Sequence, residues 1–446
     1  MTDTQRNPLA ANFNAISLIK FALPSMVMML FMGLYTVVDT VFVARFVDTD
    51  ALSSLNIVCP VISIIVGLGT MLATGGSAII AKKMGEGNID EARSNFTLII
   101  ITGVIIGLVI TGIGILLIDE IVWGLGASEL LFPHCKDYLT VQLIFAVGNI
   151  MQVLYQNLFV TAGKPALGLV LSVFAGVANI VFDYVFIVLF QLGISGAAFG
   201  TGIGYMVPTI IGTLFFMTDK SELHFHIPKP DISVLLKSCS NGASEMVNQL
   251  SSAVTTFLFN AIMMKLLGED GVAAITVIIY SQFLLTTLYI GFSMGVAPVI
   301  SYNYGNGNTQ QLKRVVRICF GVVTVISAVV FLFSFLGGEN IAKIFAENNE
   351  NVFEIAKTGF VVFSFSFLFS GGNIFTSAMF TALSNGKVSA AISFLRTFGL
   401  ITISLLILPR FLKVMGVWLA IPIAELLTLI VAICLICRYR KHYNYL

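Results

Sequence analysis

Four acidic residues lie inside long apolar stretches of this chain, where an ionised side chain is costly. They are Asp39, Asp183, Glu245 and Glu425, and one base, Arg396, lies in a similar stretch. Charged groups at the depth of a bilayer usually face a cavity or a partner and mark the path of an ion or a substrate. These residues therefore favour transport over a reaction at a covalent bond.

Two of the acids share one depth with two neutral oxygen-bearing side chains. Asp39 is about eight residues, or roughly 12 Å, from the predicted outer end of the first apolar span. Asp183 and Thr201 have similar depths in the fifth and sixth spans, and Asn179 is one helical turn from Asp183. Such oxygens suit a hard cation such as Na⁺, and clustered carboxyl groups could carry protons instead. The predicted cation-coupling residues are Asp39, Asn179, Asp183 and Thr201, and the bases of this half are assigned to segments outside the membrane, where they do not neutralise them.

The other three charges lie in the second half of the chain. Glu245 and Arg396 are each roughly 12–14 Å from the predicted inner ends of their spans, and Glu425 is deeper. A buried Glu245–Arg396 ion pair is one interpretation, because isolated charges at that depth need partners. A role in binding substrate is the other interpretation. Glu425, close to Pro422, is expected to be structural.

Two tyrosines could add an aromatic surface to a substrate cavity. Tyr35 and Tyr205 lie one turn from Asp39 and Thr201 on the same helical faces. Aromatic rings attract organic cations through their negative faces. The predicted substrate cavity is lined by Tyr35, Tyr205, Glu245 and Arg396.

The apolar stretches are long and numerous enough to place the chain in a membrane. Of its 446 residues, 57% are hydrophobic and 11% are charged, which leaves too little polar surface for a soluble protein of this size. A helix needs roughly 20 apolar residues to cross a bilayer, and these runs lack the alternation of barrel strands. The sequence predicts an all-α polytopic membrane protein whose twelve spans lie near residues 16–43, 52–81, 95–118, 138–161, 166–190, 195–217, 236–264, 272–301, 315–337, 353–382, 388–409 and 415–437.

The basic residues predict the orientation. With the N-terminus inside, sixteen Lys and Arg residues fall in cytoplasmic segments and seven in external segments, and Arg396 remains within the membrane. This excess agrees with the positive-inside rule, so both termini are predicted to be cytoplasmic. The segment MTDTQRNPLAANFN lacks the pattern of a cleavable signal peptide, and the first span is expected to stay as an anchor.

The sequence lacks the usual patterns of catalysis and metal binding. It contains no H-E-x-x-H, G-x-S-x-G or P-loop motif. Its six cysteines show no metal-ligand spacing, and the C-x-x-C formed by Cys434 and Cys437 lies at the inner end of the last span. We therefore expect no enzymatic activity, no cofactor, and no metal other than Na⁺ as a coupling ion.

The two halves of the chain are copies of one unit. With a shift of 220 residues, Gly75 aligns with Gly295, and MGEGN at 84–88 aligns with YGNGN at 304–308; a local slip of three residues pairs Gly163 with Gly386. Such matches at loop glycines indicate a duplicated six-helix unit. Because six is even, the repeat is parallel. The predicted domains are an N-lobe at 1–217, a cytoplasmic linker at 218–234 and a C-lobe at 235–446.

The intramembrane charges do not follow this repeat. The second-half positions that match Asp39 and Asp183 are Phe259 and an aliphatic residue near Ile403 to Leu406. The scaffold is therefore duplicated, whereas the chemistry is not.

Several segments together resemble the multidrug and toxic compound extrusion (MATE) family, and in particular its DinF/MepA-like prokaryotic branch. They are VVDTVFVARF at 37–46, NIVFD at 179–183, the GEGN and GNGN turns, and GVWLAIPIAE at 416–425. The resemblance covers essentially the whole chain. It implies a V-shaped pair of six-helix lobes around a central cavity, exporting cationic, amphipathic compounds in exchange for Na⁺ or H⁺.

The resemblance also implies roles for single residues. The first-lobe cation site of this branch falls on Asp39, Asn179, Asp183 and Thr201. Its kink-forming proline falls on Pro24, and Glu245 approximates an acid that other branches carry in helix 7. The acid that those branches carry in helix 10 is missing from VFSFSFLFSGGNIFTSAMF.

The same resemblance implies a location and partners. We expect a multi-pass protein of the prokaryotic cytoplasmic membrane that contacts lipids and small organic cations, binds no nucleic acid and works as a monomer. Two alternatives stay open. A flippase for lipid-linked intermediates predicts a basic cavity, and here Arg396 is the sole intramembrane base. A major-facilitator carrier predicts a basic Asp-Arg-rich loop between helices 2 and 3, where this chain has KKMGEGNIDEARS.

Overall fold

Long helices make up almost all of the protein. The structure is a computed structural model that describes residues 7–47, 49–218, 221–345 and 349–445, and within those residues it contains helices and no strand. A helix satisfies its own backbone hydrogen bonds, which an apolar environment requires. The predicted all-α class is confirmed.

The first half of the chain forms helices α1 to α6, with a short helix, Ile118–Gly124, between α3 and α4. Helix α4 consists of two parts that meet at an angle of 52°, and α5 continues into a wider π-helical turn, Tyr184–Leu189. The bounds are Ala15–Phe46 for α1, Thr49–Gly85 for α2, Ile89–Leu116 for α3, Phe132–Ile144 with Ala146–Thr161 for α4, Pro165–Asp183 for α5 and Gly193–Phe216 for α6.

The second half forms helices α7 to α12. The helical stretch Ile232–Gly305 is broken at Gly268, whose φ of 67° and ψ of −150° are not helical, so residues 232–267 form α7 and residues 269–305 form α8. Helix α11 contains a π-helical turn, Leu395–Gly399. The remaining bounds are Thr309–Phe345 for α9, Glu350–Phe363 continuing through Ser364–Ser366 to Phe367–Ala382 for α10, Gly386–Phe394 and Leu400–Leu412 on either side of the π turn for α11, and Val414–Tyr443 for α12.

The number of helices that could cross a membrane agrees with the prediction. Ten helical stretches in the described part are long and apolar enough, and the bent α4 makes eleven. Ile232–Gly305 counts once among them, although its 74 residues are far more than the roughly 20 that one span needs. Division at Gly268 therefore gives twelve, and the chain is a multi-pass membrane protein.

The turns that follow α2 and α8 confirm one part of the predicted repeat. These helices end at Gly85 and Gly305, and each is followed by a glycine with a positive φ, 79° at Gly87 and 67° at Gly307. Glycine adopts this conformation without steric cost. The aligned GEGN and GNGN segments are thus the same turn in both halves.

The turns that precede α5 and α11 correct another part of the repeat. Gly163 has a φ of 70° and Ser384 a φ of 61°, two residues before Pro165 and Gly386, where the helices begin. Gly386 therefore matches Pro165, and the predicted pairing of Gly163 with Gly386 is wrong. The slip is one residue rather than three, because both turns place their left-handed residue at the same distance from the next helix.

The residue that matches Asp183 is not fixed by this correction. The π-helical turn Leu395–Gly399 precedes the matching region of α11, whereas the π-helical turn of α5 follows Asp183. The match of Asp183 with an aliphatic residue near Ile403 to Leu406 stays a prediction.

The segment between α6 and α7 packs along the start of α3. The backbone N–H of His226 donates to Thr97 Oγ1 at 3.0 Å, and that of Lys229 donates to Ser94 Oγ at 2.8 Å. Helix α7 begins at Ile232, within the predicted linker 218–234. The domain boundaries stay a prediction.

The two halves are in backbone contact near the end of the bundle where α2 and α8 finish. A Cβ atom added to Gly75 of α2 or to Gly242 of α7 would collide with a backbone carbonyl of the other helix. The same holds between Gly85 of α2 and Gly305 of α8. Glycine allows helices to approach this closely in a membrane. We call this end of the bundle, where α1 begins and α12 ends, the terminal face.

The predicted kink residue lies within a continuous helix. Helix α1 is helical from Ala15 to Phe46 with Pro24 inside it, although a proline removes one backbone hydrogen bond there. The proposed kinking role of Pro24 stays a prediction.

Candidate functional site

The carboxyl groups of Asp39 and Asp183 meet in the half of the first lobe that lies away from the terminal face. Asp39 is seven residues before the end of α1 at Phe46, or roughly 10 Å from it. Asp183 is the last residue of α5 before the π-helical turn. The two side chains are close enough to share a hydrogen bond. Residues 144 positions apart in sequence are thus brought together, as their equal depth predicts.

No base compensates for this pair among the described residues. None of the ion pairs in the described part of the chain includes Asp39 or Asp183. Asp183 is 1% exposed, so water cannot solvate its charge. Two carboxylates in contact repel strongly unless a proton or another cation lies between them. The pair therefore has the electrostatics of a site that takes up a cation.

Helix α6 holds Asp183 in place from one side. A Cβ atom added to Gly200 would collide with Asp183 Oδ1 and would lie 2.9 Å from the Asp183 backbone nitrogen. Glycine at this position lets α6 pass directly against the carboxyl group. The next residue, Thr201, is 9% exposed, and its hydroxyl accepts a hydrogen bond from Asn179 Nδ2 at 3.3 Å.

Several oxygen atoms of this region have no hydrogen-bond partner. They are buried acceptors in the part of the chain that the structure describes: Asp39 Oδ1, Gln152 Oε1, Asn179 Oδ1 and Asp183 Oδ1. A buried acceptor without a donor is destabilising unless a water, an ion or a ligand pairs with it. All four are oxygens of the type that binds hard cations.

A small cavity is lined by two of these four residues, Gln152 and Asn179. It has a volume of about 10 Å³, which is about the space that one water molecule needs. It is too small for an organic compound and is the right size for a water or a single small ion. The lining residues are Tyr35, Gln152, Ala175, Asn179, Thr201, Gly204 and Tyr205.

Tyr35 and Tyr205 are part of the wall of this small cavity. Both line the small cavity, and the Tyr35 hydroxyl is within hydrogen-bonding reach of Gln152. The structure groups them with Asn179 and Thr201. Their predicted contact with an organic substrate stays a prediction.

Gln152 and Tyr138 are the residues that the sequence prediction missed. Gln152 is 4% exposed in α4 and contributes one of the unpartnered oxygens. Tyr138, also on α4, is 4% exposed and lies within electrostatic range of both aspartates. A signal existed in the sequence, since Asn149, Gln152 and Gln156 recur on one face of an otherwise apolar span.

The second lobe holds an ion pair, but not the predicted one. Arg396 Nε donates to Glu425 Oε1 at 3.0 Å, and Asn373 Nδ2 donates to Glu425 Oε2 at 2.7 Å. Glu425 is 1% exposed. The predicted Glu245–Arg396 pair is therefore wrong as a direct contact, because α11 and α12 pack together and bring Arg396 to Glu425 first.

Glu245 has a weaker set of partners. It accepts a hydrogen bond of 3.4 Å from Asn248, one turn along α7. Arg396 lies within electrostatic range of it, but the two side chains form no ion pair within 4.0 Å. The predicted substrate residues thus divide into two groups, with Tyr35 and Tyr205 in the first lobe and Glu245 and Arg396 in the second.

Comparison with known sequences identifies the family. Residues 24–185 and 246–408 match the sequence model of the MatE family. One matched segment lies in each half of the chain, as a duplicated unit requires, and together they cover more than half of it. The first segment contains Asp39, Asn179 and Asp183.

Relatives of this chain include bacterial export proteins. The chain is 22% identical over 422 residues to the multidrug export protein MepA of Staphylococcus aureus (strain bovine RF122 / ET3-1), covering 94% of this chain and 93% of that protein. It is 22% identical over 359 residues to MepA of Staphylococcus saprophyticus, covering 79% of each chain.

Solved structures show the same fold. The chain matches a multidrug resistance MATE family transporter in an outward-facing conformation with a TM-score of 0.93, at 20% identity and with both chains fully covered. It matches crystal structures of a MATE protein in a straight conformation at 0.93 and in a bent conformation at 0.89, at 20% and 21% identity. The coverage is complete for the straight form, and it is 99% of this chain and 100% of the other for the bent form. The fold is therefore the two-lobed one that these transporters share, and the chain belongs to the MatE family of membrane transporters and is not an enzyme.

Proposed function

We propose that this protein is a secondary active efflux antiporter, which exports cationic or amphipathic organic compounds in exchange for Na⁺ or H⁺. Its staphylococcal relatives are named multidrug export proteins, and the fold is that of a multidrug resistance transporter. The coupling ion would bind to Asp39, Asn179, Asp183 and Thr201, with Gln152 as a fifth oxygen ligand.

The observation that carries this proposal is the pair of touching carboxyl groups without a compensating base. Asp39 and Asp183 are within hydrogen-bonding reach of each other, and Gln152 and Asn179, which line a cavity of about 10 Å³, each keep an unpartnered oxygen. A purely structural buried acid would have a donor for each oxygen. A site that must bind and release a cation keeps oxygens free for it.

The proposed mechanism is a competition for negative charge. A cation that enters the site neutralises the acid pair and removes the attraction that holds a cationic substrate in the protein. Binding of the substrate lowers the affinity for the cation by the same factor, since coupling between two sites is reciprocal. Alternation between two conformations, each open to one side, turns this competition into exchange.

A lipid flippase is less well supported. That alternative needs free positive charge within the membrane for a pyrophosphate. Arg396, the base available for that purpose, donates to Glu425 at 3.0 Å, so its charge is already compensated.

The test is transport by Asp39→Asn and Asp183→Asn in vesicles with separately imposed Na⁺ and pH gradients. We expect both variants to lose ion-driven efflux of a cationic dye while they remain folded in the membrane. Asp119→Asn is the matched control, because this acid pairs with Lys136 at the protein surface and should leave efflux unchanged. Undiminished coupling in both aspartate variants would refute the proposal, and the gradient that drives the wild-type protein identifies the ion.

A further inference from the structure

The two lobes treat their buried acids differently. In the first lobe, Asp39 and Asp183 touch without a base among the described residues. In the second lobe, Glu245 and Glu425 flank Arg396, which pairs with Glu425 and lies within electrostatic range of Glu245. Each lobe therefore presents two carboxyl groups, but only the second supplies a cation of its own.

Glu425 is fixed on both of its oxygens. Oε1 accepts from Arg396 Nε, and Oε2 accepts from Asn373 Nδ2, which also reaches the Glu425 backbone carbonyl at 2.8 Å. Each oxygen of this carboxylate therefore has a hydrogen-bond donor. In contrast, Asp39 and Asp183 each keep one oxygen without any partner.

Arg396 is placed to compensate more than one acid. It lies on the π-helical turn Leu395–Gly399 of α11, a local widening that often occurs at functional positions. Its side chain is 15% exposed, whereas that of Glu425 is 2% exposed. Among the described residues, Arg396 donates through Nε to Glu425, and its two terminal Nη groups donate no hydrogen bond. The guanidinium thus bonds to Glu425 through Nε, while its charge remains within electrostatic range of Glu245.

We propose that Arg396 is a tethered counter-ion, which fills in the second lobe the role that an exchangeable cation fills in the first. Because an arginine side chain cannot be released and stays protonated, the second lobe would load no coupling ion. Coupling would then depend on the first lobe alone. This last consequence depends on the proposed antiport, whereas the role of Arg396 as a counter-ion does not.

Removing the tethered charge should create a cation site. In Arg396→Gln, Glu425 loses its ion-pair partner and Glu245 loses a nearby positive charge, and a free Na⁺ or a proton would have to replace it. We expect this variant to bind one more cation per chain than the wild-type protein. The number of bound cations per chain is measured by equilibrium dialysis with radioactive Na⁺ and by proton uptake on acidification. Arg396→Lys keeps the positive charge and is expected to gain none.

Two further variants locate the gained cation. The gain should persist when Asp39→Asn and Asp183→Asn are added, because it does not arise in the first lobe. It should disappear when Glu425→Gln is added to Arg396→Gln, because the anion is then gone as well. A gain that survives Glu425→Gln, or an equal gain in Arg396→Lys, would overturn the proposal.

An unstable variant would also test the inference, and one outcome distinguishes it from the proposed antiport. If Arg396→Gln is unstable in choline chloride at neutral pH, high Na⁺ or low pH should restore it, since a ligand that binds only the native state stabilises it. Absence of both the gained cation and this rescue would overturn the inference. Cation binding that is unaffected by the two aspartate variants would instead refute the antiport site and leave the role of Arg396 standing.

Discussion

The substitution Gly200→Ala tests whether the site depends on the exact position of the Asp183 carboxyl group, without a change of charge. The added Cβ would lie 2.9 Å from the Asp183 backbone nitrogen and 3.0 Å from its Cγ, and would collide with Oδ1. Ordinary contact distances begin at 3.4 Å. The backbone of α5 must therefore shift by about 0.5 Å and the carboxyl oxygen by more than about 1 Å, since groups of this kind do not overlap.

A shift of that size should weaken the site strongly. A misplacement of about 1 Å in a group that acts by position costs roughly 100-fold, which corresponds to about 2.7 kcal/mol. We expect the half-saturating concentration of the coupling ion to rise by about that factor. The added methyl group should also lower the stability of the protein by about 1–3 kcal/mol, which leaves a folded protein to assay.

The assay is ion-driven dye efflux in vesicles over a range of Na⁺ or H⁺ concentrations, with a thermal unfolding curve for each variant. Gly112→Ala is the control, because Gly112 on α3 has nothing within 4 Å of an added Cβ and receives the same chemical change. An unchanged half-saturating concentration in Gly200→Ala would refute the view that a fixed Asp183 carboxyl forms the site.

Three further predictions concern other parts of the structure. Gln152→Leu removes one of the unpartnered oxygens beside the cavity. We expect the half-saturating ion concentration to rise about tenfold, which corresponds to roughly 1.4 kcal/mol. An unchanged ion titration would exclude Gln152 as a ligand. Glu425→Gln leaves Arg396 without its anion. The free energy of unfolding, measured by chemical denaturation, should fall by about 3–5 kcal/mol. An unchanged free energy of unfolding would mean that Glu245 pairs with Arg396 instead. The valine side chain in Gly242→Val would collide with the Met71 carbonyl of α2, and it should keep the lobes apart at the terminal face. A cysteine placed at that interface should then react faster with a thiol label than it does in the wild-type background.

Depth within a span is the property that the sequence predicts well. Asp39, Asn179, Asp183 and Thr201 were assigned to one level because a helix rises by a fixed 1.5 Å per residue. The structure brings Asp39 to Asp183 and Asn179 to Thr201. These four side chains come together if α1, α5 and α6 are neighbours within one lobe.

Lateral pairing is the property that the sequence does not predict. Glu245 and Glu425 both lie near the depth of Arg396, and the choice between them depends on how α7, α11 and α12 pack and on the π turn at Leu395–Gly399. Neither is encoded in a local pattern, because the spacing of residues along one span does not determine which neighbouring helix each of its faces will contact. Gln152 was missed for a related reason, since an amide in an apolar span marks a polar contact without naming its partner.

The asymmetry of charge has a consequence for the energetics of the proposed exchange. Moving one elementary charge through 100 mV is worth about 2.3 kcal/mol, or roughly a 50-fold accumulation. Exchange of a single inward cation for a monovalent cationic compound moves no net charge, so the membrane potential would not contribute. The potential helps only if the substrate is uncharged or if more than one cation enters per cycle. If Arg396 is the counter-ion of Glu425, as its pairing suggests, the second lobe would bind no extra cation, and the carboxyl groups of Asp39 and Asp183 would have to bind both.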